Sequence, residues 1–124
     1  MTSLNDKPSK RQQEIVNDYF NFLDSHIKSV VSGQTDAFLP LSEIAGKLHV
    51  SHQHLTDTIQ QVKGNHPCHY YDLKIIEQAK QMLKSNKRTV TEIAHSLTYD
   101  PSNFTKFFKK IVGVSPGAWR ITNK

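Results

Sequence analysis

The sequence has no run of about 18 consecutive apolar residues, which is the length that a membrane-spanning helix needs. It carries one cysteine, Cys68, and a single thiol cannot form a disulfide within the chain. Proteins without disulfides are typical of reducing compartments. The N-terminus also lacks the pattern of a secretory signal. We therefore expect a cytoplasmic protein that does not contact membranes.

Patterns that support catalysis are missing as well. The five glycines are dispersed, so the sequence contains no glycine-rich loop that could hold a phosphate. It also shows no combination of nucleophile, base and orienting group that is typical of a catalytic site. His66, Cys68 and His69 are close in sequence, but they lack the closed spacing of metal ligands, as do His52 and His54. The sequence therefore predicts no enzyme, no cofactor and no metal site.

Positive charge is confined to the later part of the chain. Residues 1–40 carry four Lys or Arg and five Asp or Glu, whereas residues 41–124 carry twelve and six. The excess of cations in residues 41–124 favours a polyanion as partner, although many solvated domains reach a similar excess.

What the chain does contain is a repeat with an offset of 49 residues. Residues 41–45 (LSEIA) return as residues 90–94 (VTEIA). The same offset then pairs Leu48, Val50, Leu55, Gly64, Pro67 and Tyr70 with Leu97, Tyr99, Phe104, Gly113, Pro116 and Trp119. Two copies that keep one offset over about thirty positions indicate a repeated structural unit. We call residues 41–70 copy one and residues 90–119 copy two.

Each copy has the pattern of a helix-turn-helix. In that motif two helices cross steeply over a short turn, and a small residue is needed at their closest approach. Ala45 and Ala94 occupy this position. The predicted caps of the helices are Ser51 in copy one and Asp100, followed by Pro101, in copy two. Thr89 and Glu92 form a predicted capping box. An ordinary small helical bundle is the alternative, and the second copy in register argues against it.

Two longer helices complete the prediction. Apolar residues recur with a helical period from Lys10 to about Val31 and again from Pro67 to about Ser85. The predicted buried set of the second helix is Tyr70, Leu73, Ile76, Ala79, Met82 and Leu83. A helix of 19 residues is about 28 Å long, and it could hold two recognition helices about one turn of DNA apart.

The predicted fold is therefore all-α, with two helix-turn-helix subdomains joined by a long central helix and preceded by an additional N-terminal helix. Residues 1–36 form a polar tail and a helix on or near the first lobe. Residues 37–124 form the DNA-binding domain, with a first lobe at 37–66, the linking helix at 67–86 and a second lobe at 87–124.

These features together resemble the DNA-binding domain of AraC/XylS-type bacterial transcription regulators. The resemblance covers residues 38–121. In copy two it is carried by Glu92-Ile93-Ala94, residues 102–110 (SNFTKFFKK), Gly113-Val114-Ser115-Pro116 and Arg120; in copy one by Ile44-Ala45, Leu48, Val50-Ser51, His54-Leu55, Gly64, Pro67, Tyr70 and Ala79. It implies a two-lobed fold of seven helices with both recognition helices in adjacent major grooves of double-stranded DNA.

The chain departs from the family in three ways. The second turn has Thr98 where the family usually has glycine, so Thr98 must adopt the turn conformation at some cost or shape the turn differently. The linking helix has Lys74 in place of a common arginine. Many members also carry a large effector-binding domain, and 124 residues leave no room for one. We therefore expect a stand-alone regulator without an effector pocket, with activation and repression both open.

Helix geometry places the base-reading residues near the start of each second helix. Gln pairs with adenine, Asp accepts from cytosine and Lys reaches guanine. The predicted base contacts are His52, Gln53, Thr56 and Asp57 in copy one and Ser102, Asn103, Thr105 and Lys106 in copy two. Lys109, Lys110 and Arg120 are predicted to bind phosphate, which adds affinity without sequence information.

The alternative function is a protein–protein module that docks through the amphipathic N-terminal helix. Tyr19, Phe22 and His26 share one stripe of that helix, and this stripe could bind RNA polymerase or another regulator. The covering of the first lobe's core by the same helix is the competing role. We expect the protein to bind DNA as a monomer, because both recognition helices belong to one chain.

Overall fold

A computed structural model of the protein describes residues 7–123, which form seven α-helices and no strand. The helices are α1 (Lys10–Val31), α2 (Leu41–Lys47), α3 (His52–Lys63), α4 (Pro67–Ser85), α5 (Val90–Ser96), α6 (Pro101–Val112) and α7 (Pro116–Thr122). The predicted all-α class is confirmed. Most of the predicted N-terminal tail lies outside the described residues, as does Lys124. None of the described helices is long and apolar enough to cross a membrane.

The described residues form two compact units. Unit 1 contains residues 7–24 and Leu39–Tyr70, and unit 2 contains Ser25–Phe38 together with the residues from Tyr71 onward. Copy one lies in unit 1 and copy two in unit 2, whereas α1 and α4 each contribute residues to both. The residue limits of the lobes given above stay a prediction.

The helix starts follow the caps that the sequence contains. The Ser51 hydroxyl accepts a hydrogen bond from the backbone N–H of His54 at 3.0 Å. Thr89 and Glu92 form the predicted capping box, with hydrogen bonds of 3.0 and 2.8 Å. Asp100 caps α6, and Pro101 follows at its first position. Each cap satisfies backbone N–H groups that have no partner within the helix, a contribution of about 1 kcal/mol.

One cap was not anticipated. The Ser9 hydroxyl accepts from the N–H of Gln12 at 3.0 Å, and the Gln12 side chain accepts from the N–H of Ser9 at 2.9 Å. This is a second capping box, and it explains why α1 begins at Lys10 although its first turn has no acidic residue. The signal was present in the sequence as Ser-x-x-Gln.

Two of the three residues on the α1 stripe that was considered for partner binding are buried, and the third, Phe22, is half-buried. Tyr19 is fully buried in unit 1, where its hydroxyl donates to the Pro67 carbonyl at 2.9 Å. His26 is buried in unit 2, where its ring meets the edges of Phe38 and Tyr71. Of the two roles left open for this stripe, the burial of Tyr19 and His26 favours the covering of a core over the docking of a partner. Burial of a large apolar side chain contributes about 1.5–3 kcal/mol, so α1 is part of what holds each unit together.

The buried face of α4 differs in part from the prediction. Tyr71 and Ile75 are buried, whereas Leu73 is 41% exposed and Tyr70 is only half-buried. The Tyr70 hydroxyl instead donates to the Lys63 carbonyl at 2.7 Å. Adjacent apolar residues in this helix both fit a helical period, so the pattern alone could not choose between them. The remaining four predicted residues are buried, as expected: Ile76, Ala79, Met82 and Leu83.

The turns of the two copies have the same backbone conformation. His49 and Thr98 both have a φ of 62°, and they are related by the offset of 49. The backbone N–H of the next residue, Val50 or Tyr99, donates to the carbonyl of Ala45 or Ala94 at 3.1 or 2.9 Å. Thr98 therefore adopts the left-handed turn conformation in which the family usually has glycine. For a β-branched residue this conformation is unfavourable by about 1–2 kcal/mol.

Candidate nucleic-acid interface

The exposed face of α3 in copy one is polar and close to neutral. His52, Gln53 and Asp57 are exposed, whereas Thr56 is half-buried. The Gln53 side-chain amide donates to the Asp57 carboxylate at 2.9 Å, since the two residues lie one turn apart. This pair orients the carboxylate at the surface, and it leaves the other amide hydrogen and oxygen of Gln53 available for a base edge.

The exposed face of α6 in copy two is basic. Asn103 and Lys106 are exposed and lie one turn apart, with Thr105 half-buried beside them. The Ser102 hydroxyl, although exposed, donates to the Asp100 carboxylate at 2.7 Å. Ser102 therefore already takes part in the cap of α6.

The apolar side of α6 fixes the orientation of its basic face. Phe104 and Phe108 are fully buried, and the ring of Phe107 stacks on that of Tyr99 at 5.2 Å between centroids. Burial raises the pKa of the Tyr99 hydroxyl, and the charge of Asp72 adds to this rise. The side of α6 opposite these rings is the side that faces solvent.

The three predicted phosphate-binding residues have different surroundings. Lys109 and Lys110 are exposed in the last turn of α6. The Arg120 guanidinium instead donates to the backbone carbonyls of Leu83 at 2.9 Å and Arg88 at 2.6 Å. Arg120 thus joins α7 to the end of α4 and the turn that follows it. Sequence reasoning missed this role, because no local pattern reports a contact between residues 37 positions apart.

Carboxylates at the helix starts of copy two have lowered pKa values. The hydrogen bond from the Thr89 backbone is the main cause for Glu92, and the hydrogen bonds from Ser102 and the backbone of Asn103 are the main causes for Asp100. Both groups are exposed, so they remain charged at neutral pH as part of the caps.

No cluster of three metal-ligand side chains occurs within residues 7–123. His66 has an identifiable structural role, because its Nδ1 accepts a hydrogen bond from the backbone N–H of Cys68 at 3.0 Å. The ring thereby accepts from a backbone N–H in the first turn of α4, where helices lack acceptors of their own.

Unit 2 has a cavity of about 300 Å³, lined by Val31, Gln78, Gln81, Met82, Ser85, Lys87 and Arg88. This volume is at the lower limit of the cavities that bind small molecules. The short length of the chain is therefore not sufficient to exclude the binding of an effector. The absence of an effector pocket stays a prediction.

Comparison with known proteins identifies the family. A family model described as a helix-turn-helix domain matches residues 44–121, which is more than half of the chain. The MmsAB operon regulatory protein of Pseudomonas aeruginosa is 34% identical over 86 residues, covering 68% of this chain and 28% of the relative. The chain spans less than a third of the length of the curated relatives that it matches.

Solved structures agree with this match. The C-terminal domain of AraT, a response regulator from Geobacillus stearothermophilus, is 30% identical, with a TM-score of 0.75 over 87% of this chain and 84% of that one. The DNA-binding domain of AdpA, solved in complex with a target DNA, is 18% identical and shows the shared fold alone, with a TM-score of 0.69 over 92% of this chain and 93% of that one. Together with the repeated helix-turn-helix described above, these similarities show that the chain belongs to the AraC-type helix-turn-helix family of DNA-binding transcription regulators.

Proposed function

We propose that the protein regulates transcription by binding a specific double-stranded DNA sequence, with α3 and α6 as its two recognition helices in adjacent major grooves. The basic exposed face of α6, set opposite its buried rings, is the observation that carries this proposal. In helix-turn-helix proteins the first residues of the second helix contact base edges. Asn103 and Lys106 occupy that region in copy two, and Gln53 and Asp57 occupy it in copy one.

The contacts divide into two kinds. Gln53, Asp57, Asn103 and Lys106 are exposed near the helix starts and are proposed to read bases, with His52, Thr56, Ser102 and Thr105 as weaker candidates. Lys109 and Lys110 are proposed to bind phosphate. Arg120 is left out of this set, because its guanidinium already holds two backbone carbonyls.

Because the two reading faces differ, the proposed target is an asymmetric site bound by one chain. Selection from a random duplex pool, followed by sequencing, would give the site, and light scattering of the complex would give its stoichiometry. We expect one chain on a site without two-fold symmetry. An obligatory two-chain complex on a symmetric site would overturn this proposal.

The competing function, docking of a protein through α1, is not favoured, because Tyr19 and His26 are buried. Salt distinguishes the two functions. Duplex binding weakens steeply as salt rises, whereas an apolar docking surface responds little. RNA polymerase or another regulator stays a predicted further partner, with no surface assigned to it.

A further inference from the structure

The side chains of Gln53 and Asp57 in α3 are joined to each other at the surface. The Gln53 amide nitrogen donates to a carboxylate oxygen of Asp57 at 2.9 Å, and both residues are exposed. Leu55 and Ile59 are fully buried on the opposite side of the helix, so the packing of α3 directs both polar side chains to solvent. We call Gln53 and Asp57 the Gln53–Asp57 pair; both residues belong to unit 1.

Copy two has no such pair. The offset of 49 relates the two residues to Ser102 and Lys106, but the Ser102 hydroxyl donates to the Asp100 carboxylate instead. Asn103 and Lys106, which are proposed to read bases in copy two, share no hydrogen bond within the described part of the chain. Copy two therefore presents two separate groups, and it provides an internal control for the joined groups of copy one.

The hydrogen bond limits what the pair can present to a base edge. One amide hydrogen of Gln53 is used by Asp57, so one N–H donor and the carbonyl acceptor of Gln53 remain. Adenine complements a donor and an acceptor through its N7 and its N6 amino group. The carboxylate of Asp57 offers acceptors alone, which suit the amino groups of cytosine and adenine. Guanine O6 and thymine O4 are themselves acceptors, so the carboxylate repels them.

The spacing of the two groups matches the stacking of bases. The joined nitrogen and oxygen are 2.9 Å apart, and successive bases of a duplex are about 3.4 Å apart. The pair can therefore face two neighbouring base pairs at once. A hydrogen bond to a carboxylate is stronger than one between neutral groups, so Asp57 holds the Gln53 amide in one orientation before DNA binds.

The charge of Asp57 has a further effect on binding. Asp57 forms no ion pair with a lysine or arginine among the described residues. A carboxylate at the surface of a DNA-binding helix is repelled by phosphates, which weakens binding to every sequence. The loss is smallest where an amino group of a base lies opposite the carboxylate. Repulsion from unsuitable sites thus adds to the specificity of copy one.

We propose that the Gln53–Asp57 pair reads two neighbouring base pairs as one unit. Gln53 pairs with adenine, and Asp57 accepts from the amino group of cytosine or adenine at the next position. Asp57 is also the positioning residue of Gln53, so the first preference depends on it. This inference rests on the proposed function and adds that the two base contacts of α3 depend on each other, whereas those of α6 do not.

Base preferences of single variants test the positioning role. The probe is the duplex selected from the random pool, with each base pair of the α3 segment replaced in turn. Gln53→Ala identifies the base pair that Gln53 reads, since a preference of about tenfold should be lost there. We expect Asp57→Ala to lose this preference together with the one at the neighbouring position. Asp57→Asn keeps an oxygen that accepts from Gln53, so it should retain the first preference and relax the second.

A double-mutant cycle measures the dependence directly. The measured quantity is the ratio of affinities for the selected duplex and an unrelated duplex, because this ratio removes the general effect of charge. Gln53→Ala combined with Asp57→Ala should give the same ratio as Asp57→Ala alone, since Asp57→Ala already releases the Gln53 amide. In the matched cycle on α6, the losses from Asn103→Ala and Lys106→Ala should multiply. Asp57→Asn should also bind the unrelated duplex more tightly than the wild type does.

The outcomes distinguish this inference from the proposed function. If the wild-type protein selects no duplex, the proposed function fails and this inference fails with it. If a duplex is selected but Asp57→Ala leaves the preference of Gln53 intact, or the losses in α3 multiply as in α6, only this inference fails. An Asp57→Asn variant that loses both preferences would also overturn it. Melting curves of each variant establish that the compared proteins are folded.

Discussion

Copy one and copy two have the same backbone conformation at their turns and helix ends, but they differ in most side chains that face solvent. Their turns have the same positive φ at His49 and Thr98, and their second helices, α3 and α6, end at Gly64 and Gly113 with φ of 97° and 98°. The exposed face of α3 carries one oriented carboxylate, whereas that of α6 carries three lysines. A few positions thus determine the helix-turn-helix, namely the small alanine, the apolar contacts, the turn residue and the terminal glycine. The remaining positions are free to recognise different partners.

The largest expected effect comes from the alanine at each helix crossing. Ala94 is fully buried, and Ala45 is almost fully buried. Ala94→Leu should lower the free energy of unfolding by about 1–3 kcal/mol or more, because a larger side chain overpacks the crossing. Ala45→Leu should do the same in copy one. His95→Leu, which places leucine at an exposed position of the same helix, is the control for Ala94→Leu.

Residue-resolved hydrogen exchange would show whether each change stays within its own copy. We expect Ala94→Leu to increase exchange in α5 and α6 and to leave α2 and α3 largely protected. Equal loss of protection in both copies would show that the chain unfolds as one cooperative unit. In that case the two copies would not be independent in stability, although they would still differ in their exposed residues.

The second expected effect concerns the lysines of α6. Lys106→Ala should cost about 1–3 kcal/mol of binding free energy and relax the preference at one base pair. Lys110→Ala should weaken binding to all sequences alike and reduce the salt slope by about one. Affinities for a panel of single-base variants of the selected site, measured at several salt concentrations, distinguish these results. Identical behaviour of the two variants would contradict the division into base and phosphate contacts.

The third effect compares the turns. Thr98→Gly should raise the free energy of unfolding by about 1 kcal/mol, because glycine adopts a positive φ without steric cost whereas a β-branched residue does not. His49→Gly should have a smaller effect, since histidine tolerates this conformation better than threonine. Denaturant unfolding of both variants tests the difference. A destabilised Thr98→Gly variant would mean that side-chain contacts of Thr98 outweigh the backbone strain.

The smallest expected effect is a loss of stability in copy two that appears only at acidic pH. Glu92 and Asp100 cap α5 and α6 with lowered pKa values, so their stabilisation is complete above the unfolded values near 4. It is lost as the pH falls through the lower, folded values. Copy one has no equivalent, because Ser51 caps α3 and Pro40 precedes α2 without a side-chain cap. Amide exchange at Glu92 and Ser102 should therefore increase below about pH 4 before that at His54. Simultaneous increases would argue against a cap effect.

The sequence predicted the helices closely because their ends are encoded locally. Asp100-Pro101 and the two terminal glycines are signals within a few residues of the boundaries that they set. What the sequence did not predict are contacts between distant parts of the chain. The burial of His26 against Phe38 and Tyr71 and the hydrogen bond of Arg120 to Leu83 depend on packing that no local period reports.

The candidate site was predictable to a similar degree. Exposure of Asn103 and Lys106 follows from a helical pattern whose opposite face is aromatic, and both side chains are exposed; their contact with bases stays a prediction. The pairing of Gln53 with Asp57 and the use of Ser102 within a cap depend on side-chain rotamers. Sequence spacing brings such groups within reach but does not select which hydrogen bond forms.

The two unlike reading faces that we propose for one polypeptide affect how a DNA site can change over generations. In a homodimer one substitution alters both half-sites at once, so a promoter must acquire two matching changes before recognition is restored. In the proposed complex a substitution on α6 leaves α3 unaltered, so half of the proposed interface is retained while the other half changes. An internal duplication of this kind allows a regulator and its promoter to diverge one half-site at a time.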